Sequence, residues 1–158
     1  MGGDAHKNYS PSRLSNDQRQ GVIDLLTEKF LSSGCFLSVT SPLPAPEKTD
    51  HGDVDLLVVA VPKPPQPFHE VMKAAGLFDR QERNSYLYNF DGAIFQVDVS
   101  VIEESRLDLE LFLRSYGGLG EYLGPHAKRL GYKLSSKSGL LYRMPLPISG
   151  RSCCILSP

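Results

Sequence analysis

The sequence predicts an α+β protein, because stretches with helical periodicity and stretches with strand alternation both occur. Three observations carry this. Apolar residues recur at helical spacing between Asn16 and Gly34. The run DVDLLVVA (53–60) is short, apolar and rich in valine, as strands are. The stretch from Tyr86 to Ile102 reads YLYNF, then Asp91-Gly92, then AIFQVDVSVI, which is the alternation and turn of a β-hairpin. With 158 residues and 41% apolar content, the chain can bury one core or two small lobes.

Taken in order, residues 1–15 are polar, contain Gly2, Gly3, Pro11 and several serines, and are expected to be disordered. Asn16 is a good N-cap for a helix whose apolar stripe is Val22, Ile23, Leu26, Phe30 and Leu31, ending at Gly34. CFLSVTS (35–41) reads as a strand, PLPAPEKTDHG (42–52) as a proline-rich loop, and DVDLLVVA as a buried strand broken by PKPPQP. FHEVMKAAG (68–76) reads as a short helix stopped by Gly76. After the hairpin, SRLDLELFLRSY (105–116) has alternating leucines in a helix-forming composition, and is assigned as helix. After Tyr116-Gly117-Gly118 a second helix follows, ending near Gly131, and YKLSSKSGLLYR forms a small hairpin or loop-strand unit.

Composition limits the possible functions. The longest apolar runs are too short to span a bilayer and no charged-then-apolar leader is present, so an intracellular protein (nucleus or cytoplasm) with no membrane contact is expected. Cys35, Cys153 and Cys154 lack metal spacing and read as reduced thiols. Neither Met1-Gly2 nor the internal CCIL satisfies a lipidation signal, since His6 stands where Ser or Thr is required and Ser157-Pro158 follow the cysteines. The net charge is −1, yet from His126 onward there are six basic residues and no acidic one. That basic end is either a solvated face or a surface for a polyanion.

Asp53 and Asp55 open the buried strand and point to one side of it, while Val54 points to the other. On the hairpin's second arm, Phe95, Val97, Val99 and Val101 share one face, and Gln96, Asp98 and Ser100 share the other. Should the strands be neighbours, Asp53, Asp55 and Asp98 would form an oxygen-only site suited to one or two Mg²⁺ ions. The alternative is a solvated Asp98 and a turn-capping pair at 53 and 55.

The order helix, VTS, loop, GDVDLLV and FQVDV resembles the nucleotidyltransferase palm of the DNA polymerase beta superfamily, and YGGLGEYLGPHAKRLGYKLSSKSGLLYR resembles the palm-to-thumb junction and thumb of family X DNA polymerases. The resemblance covers residues 20–145. It implies a palm with a mixed sheet and helices on one side (16–115), followed by a small basic α/β thumb (116–158). It also implies a monomeric nucleotidyltransferase using two Mg²⁺ (or Mn²⁺) ions, a nucleoside triphosphate and a DNA primer or gapped duplex. Position by position, Asp53, Asp55 and Asp98 would be the catalytic and metal-binding residues. Thr40 and Ser41 would grip the triphosphate, with Lys48 as the nearby cation. Tyr116, Gly117 and Gly118 would pack on the incoming nucleotide, and Lys128, Arg129, Lys133 and Lys137 would face the nucleic-acid backbone.

The sequence departs from the pattern in three places. Thr40 replaces the first Gly of Gly-Ser, the arginines that usually follow are replaced by PLPAPEK, and Gly124 stands where a template-contacting arginine is usual. Other acceptors (RNA, protein or a small molecule) and a non-catalytic nucleic-acid-binding relative are the alternatives. The four histidines show no ligand spacing and read as surface residues, with only His51 near enough to Asp53 to touch a phosphate.

Overall fold

The computed structural model describes residue 6 and residues 8–81, 84–135 and 138–142. They form an α+β arrangement in two compact units: the chain up to Pro42 together with Pro46–Glu104, and Leu43–Ala45 together with the chain from Ser105 onward. The contact boundary between the two units along the chain thus falls at 104/105.

In the first unit, strand β1 (Leu14–Ser15) leads directly into helix α1 (Asn16–Ser32). Ser15, not Asn16, is the N-cap: its hydroxyl accepts from the Gln18 amide while the Gln18 side chain accepts from the Ser15 amide. This capping box satisfies two of the amides that a helix start leaves without partners. Val22, Ile23, Leu26 and Phe30 are buried as the periodicity predicts, whereas Leu31 lies outside the stripe and is exposed.

Strands β2 (Phe36–Thr40), β4 (Asp53–Ala60), β5 (Leu77–Gln81), β6 (Ser85–Phe90) and β7 (Ala93–Val101) build one mixed sheet in the order β2-β4-β7-β6-β5. Strand β3 (Asp50–His51) pairs with β1 beside it. Only β4 and β7 run parallel; the other pairs are antiparallel. Helix α2 (Phe68–Ala74) lies in the connection between β4 and β5, and Gly76 follows it with φ of +92°, a left-handed conformation that glycine adopts without strain. Asp91 and Gly92, both at positive φ, make the tight turn between β6 and β7.

One face of the sheet carries Val54, Leu56, Val58, Tyr86, Tyr88, Phe95, Val97 and Val99, and these join α1 and α2 in a single apolar core. Lys29 ties the helices to this layer, donating to the Ala75 carbonyl and the Tyr88 hydroxyl. The opposite face carries Asp53, Asp55, Gln96, Asp98 and Ser85, since the parallel and antiparallel registers align them.

Residues 6 and 8–15, expected to be disordered, are placed against this unit. Leu14 is fully buried, His6 is 2% exposed, and the Ser12 amide donates to the Ile94 carbonyl. The polar composition is offset by long-range partners that no local pattern records.

The second unit contains helix α3 (Leu107–Arg129) and a hairpin of β8 (Tyr132–Ser135) and β9 (Gly139–Tyr142). Glu110 is buried but held by Arg106 and Arg114, each one turn away, so its charge is paired on both sides. The helix is interrupted at Ser115–Gly118, where backbone angles leave the helical region. Among the described residues no helix is long and apolar enough to cross a membrane.

Candidate active site on the aspartate face

The parallel pairing of β4 with β7 puts Asp55 directly opposite Asp98, and Asp53 opposite Gln96. Alternation then places all four side chains on one face. The three aspartates are half-buried, neither solvated like surface carboxylates nor sealed in the core. Gln96 is itself buried, and its amide nitrogen donates to both Asp98 oxygens at 3.1 and 3.3 Å. Asp98 is thus held in place by its own strand.

Burial, and then the negative charge of Asp98, raise the Asp53 carboxyl above the ordinary aspartate range; Lys48 and Arg13 pull it partly back. Lys48 thus lies close enough for its charge to favour the ionised Asp53. It is not the only nearby cation, and the expectation that it would be needs correction. Arg19, on α1, donates from one terminal nitrogen to Ser41 Oγ at 2.7 Å and to the Pro42 carbonyl at 2.8 Å. Burial lowers its pKa, an effect opposed by the nearby charges of Asp55 and Asp53. Arg13 reaches the same region from β1's approach, paired with Asp50 and felt by Asp53. A guanidinium thus reaches Ser41 from a helix more than twenty residues earlier. Arg19 gave no signal in the sequence beyond being a lone arginine on the polar side of α1.

Thr40 ends β2 opposite Leu57, which leaves Ser41 beside the start of the aspartate pair, its hydroxyl already oriented by Arg19. His51, read as a surface residue, is 2% exposed, and its Nε2–H donates to Asn16 Oδ1 at 2.7 Å. Burial first, then the Arg19 and Lys48 charges, lower its pKa, so it stays neutral near pH 7. His6 is also buried, whereas His69 and His126 are exposed as expected. The two buried rings are inside because each has found a polar partner.

The remaining candidate residues belong to the second unit. Tyr116, Gly117 and Gly118 all have left-handed backbone angles, with φ of 56°, 79° and 84°. For the two glycines this is free of strain; for Tyr116 it costs about 1–2 kcal/mol. The strain is held by the chain's own contacts: the Tyr116 amide donates to the Leu43 carbonyl at 2.7 Å, and the Leu43 amide donates to Ser115 Oγ at 3.1 Å. Tyr116 is 47% exposed. A strained residue presenting a flat aromatic ring is a common sign of a binding position. Lys128 and Lys133 line a shallow pocket with Gly124, Tyr132 and Leu134, and Arg129 is exposed on the adjoining turn. Lys137 lies outside the described residues, as do Cys153 and Cys154.

Among the described residues no group of three or more His, Cys, Asp or Glu side chains is gathered closely enough to hold a metal ion as it stands. The donor chemistry nevertheless suits a hard divalent cation: carboxylate oxygens on one face, one of them destabilised by burial and by a like charge. No protein-family model and no curated protein matches the chain.

Proposed function

We propose that this protein is a nucleotidyltransferase of the DNA polymerase X type, moving a nucleoside monophosphate from a (d)NTP to a 3'-hydroxyl. The observation that carries the reading is the register of Asp55 against Asp98, with Asp53 on the same face and the Arg19 guanidinium held beside them on Ser41 and Pro42, close enough for its charge to be felt. Carboxylates flanked by an oriented arginine suit a reaction in which phosphate charge must be gathered and a hydroxyl deprotonated.

In this reading the first unit is the palm and the second a small thumb. Arg19, Ser41 and Lys48 bind the triphosphate: the guanidinium still has N–H groups beyond those used on Ser41 and Pro42, and these suit phosphate oxygens. Asp98, steadied by Gln96, takes up the proton of the attacking 3'-hydroxyl. The new bond joins that oxygen to the α-phosphorus, the bond from the α-phosphorus to the bridging oxygen breaks, and pyrophosphate leaves. Asp53, Asp55 and Asp98 would hold two Mg²⁺ (or Mn²⁺) ions, which when bound neutralise phosphate charge and acidify the hydroxyl. Tyr116 with Gly117 and Gly118 packs on the incoming sugar and base. Lys128, Arg129 and Lys133 contact the acceptor's phosphates, and DNA is the favoured acceptor.

The test is to incubate the protein with each labelled nucleotide, Mg²⁺ or Mn²⁺, and primed, gapped or single-stranded DNA, and to look for extension. Extension lost in Asp98→Ala supports the reading. Labelling of RNA or of the protein itself, with no DNA extension, would redirect the acceptor while leaving the chemistry in place.

A further inference from the structure

The His6 side chain is fully enclosed, and both of its ring partners lie far away in sequence. Its Nδ1 is 2.9 Å from Asp79 Oδ2, and its Nε2 is 3.3 Å from Ser85 Oγ. A carboxylate only accepts, so Nδ1 carries a proton, and Nε2 is left to accept from the serine hydroxyl when the ring is neutral. Asp79 reaches it from a strained position: its φ is 48°, in the irregular stretch of β5 between Phe78 and Gln81. Left-handed backbone at an aspartate costs energy, and here it aims the carboxylate at the imidazole.

Ser85 is the register partner of Asp98. The chain after His6 then keeps to the same face of the sheet. Tyr9 packs edge-on against Phe78, whose cross-strand partner is Leu87 on that face. Ser12 donates to the Ile94 carbonyl on β7, two residues before the Gln96 that opposes Asp53. His6 and residues 8–12 thus cross β5, β6 and the start of β7, on the face opposite α1 and α2. Ser85, Leu87 and Gln96 are no more than 3% exposed there, although both helices of this unit pack on the other face.

We infer that His6 is a positioning residue: it latches the N-terminal segment as a strap across the aspartate face and, through Ser85, fixes the strand that supports Asp98. The catalytic consequence rests on the nucleotidyl-transfer reading; the latch does not. Arg19 and Ser41 approach the aspartates from the β2 side, and His6 approaches from the β6 side. Loosening the latch should therefore disturb Asp98 and leave nucleotide binding alone.

The test compares His6→Ala and His6→Gln with the parent chain by three readouts. The first is hydrogen exchange of the Ser12 amide. The second is the NMR resonance of the Gln96 side-chain amide, which reports its bond to Asp98 without any need for activity. The third is steady-state nucleotide transfer. In His6→Ala, exchange at Ser12 should rise at least tenfold, since removing a buried ring that satisfies two polar partners favours local opening. The Gln96 amide should shift. kcat should fall about tenfold with the nucleotide KM unchanged, as expected for a slight displacement of a reacting group. His6→Gln, which can still reach one partner, should lie between the two. Unchanged exchange at Ser12 overturns the latch whatever the activity. Faster exchange with an unmoved Gln96 resonance overturns the positioning of Asp98. Parent protein without transfer activity would refute the enzymatic reading, and the two spectroscopic readouts would still decide the inference.

Discussion

Replacing Arg19 tests the triphosphate assignment most directly, because the structure gives this side chain two hydrogen-bonded anchors and two electrostatic partners. Its hydrogen bonds to Ser41 Oγ and the Pro42 carbonyl, at 2.7 and 2.8 Å, hold the guanidinium plane. The nearby charges of Asp53 and Asp55 favour its charged form against the effect of burial. A hydrogen bond involving a charged group is worth about 1.5–3 kcal/mol, and the lower end applies to a half-exposed arginine. Losing one such bond to a phosphate oxygen corresponds to about a tenfold loss of affinity. Arg19→Lys keeps the charge but loses the planar fork, so the nucleotide Kd should rise about tenfold. Arg19→Ala loses both, and about a hundredfold rise is expected. Calorimetric titration of a non-hydrolysable nucleoside triphosphate, with and without Mg²⁺, measures this, and thermal unfolding of each variant reports whether the fold is kept. A Kd for Arg19→Ala within twofold of the parent value would place the phosphates elsewhere and remove Ser41 from the binding site with them.

Asp98→Ala should abolish nucleotide transfer while leaving the melting temperature equal or higher without divalent metal, because a carboxylate facing its own kind is removed; residual full activity would sink the triad. Asp53 gives a pH signature with a definite sign. Its folded pKa is raised, so its contribution favours the fold below the ordinary carboxylate range and is lost as pH rises through the raised value. The ionised group is a net cost at neutral pH, and Asp53→Asn should raise the metal-free melting temperature at pH 7, with the gain shrinking on acidification; a pH-independent or negative change would contradict the burial and Asp98 repulsion. Neutralising Lys128, Arg129 and Lys133 to Gln should flatten the salt dependence of DNA binding by about 0.9 in log–log slope for each duplex phosphate that a cation no longer neutralises. An unchanged slope in filter binding across a salt series would return the basic end to a plain solvated face.

Much of the fold was legible because its signals are local. The stripe from Val22 to Phe30, the alternation through Phe95–Val101 and the Asp91-Gly92 turn each depend on residues a few positions apart, and each formed the element it predicted. Segment 105–116, with its alternating leucines, became helix from Leu107 because leucine and glutamate lose little freedom there and Glu110 gains Arg106 and Arg114 one turn away. Strand β5 was missed: LFDRQ offers one buried apolar residue and an irregular register, and it exists by pairing with β6. The aspartate face was legible as two separate halves, whereas Arg19 and His6 were not. Their partners lie 22 to 79 residues away, and nothing near them in the chain marks the contact.

Leu43–Ala45 give the second unit a property that its own contiguous sequence lacks. Three residues inserted from between β2 and β3 belong to a body otherwise made from Ser105 onward. They supply the carbonyl that receives the Tyr116 amide and the amide that reaches Ser115 Oγ. A fragment beginning at Ser105 would leave both groups without these partners at the point where three successive residues take left-handed angles, and α3 would be free to run straight through or to fray. The unit is therefore not a transplantable cassette. Grafting it onto another scaffold, or exchanging it between relatives by a single crossover, would have to carry the Pro42–Pro46 loop as well, so the two stretches of sequence are bound to be inherited together.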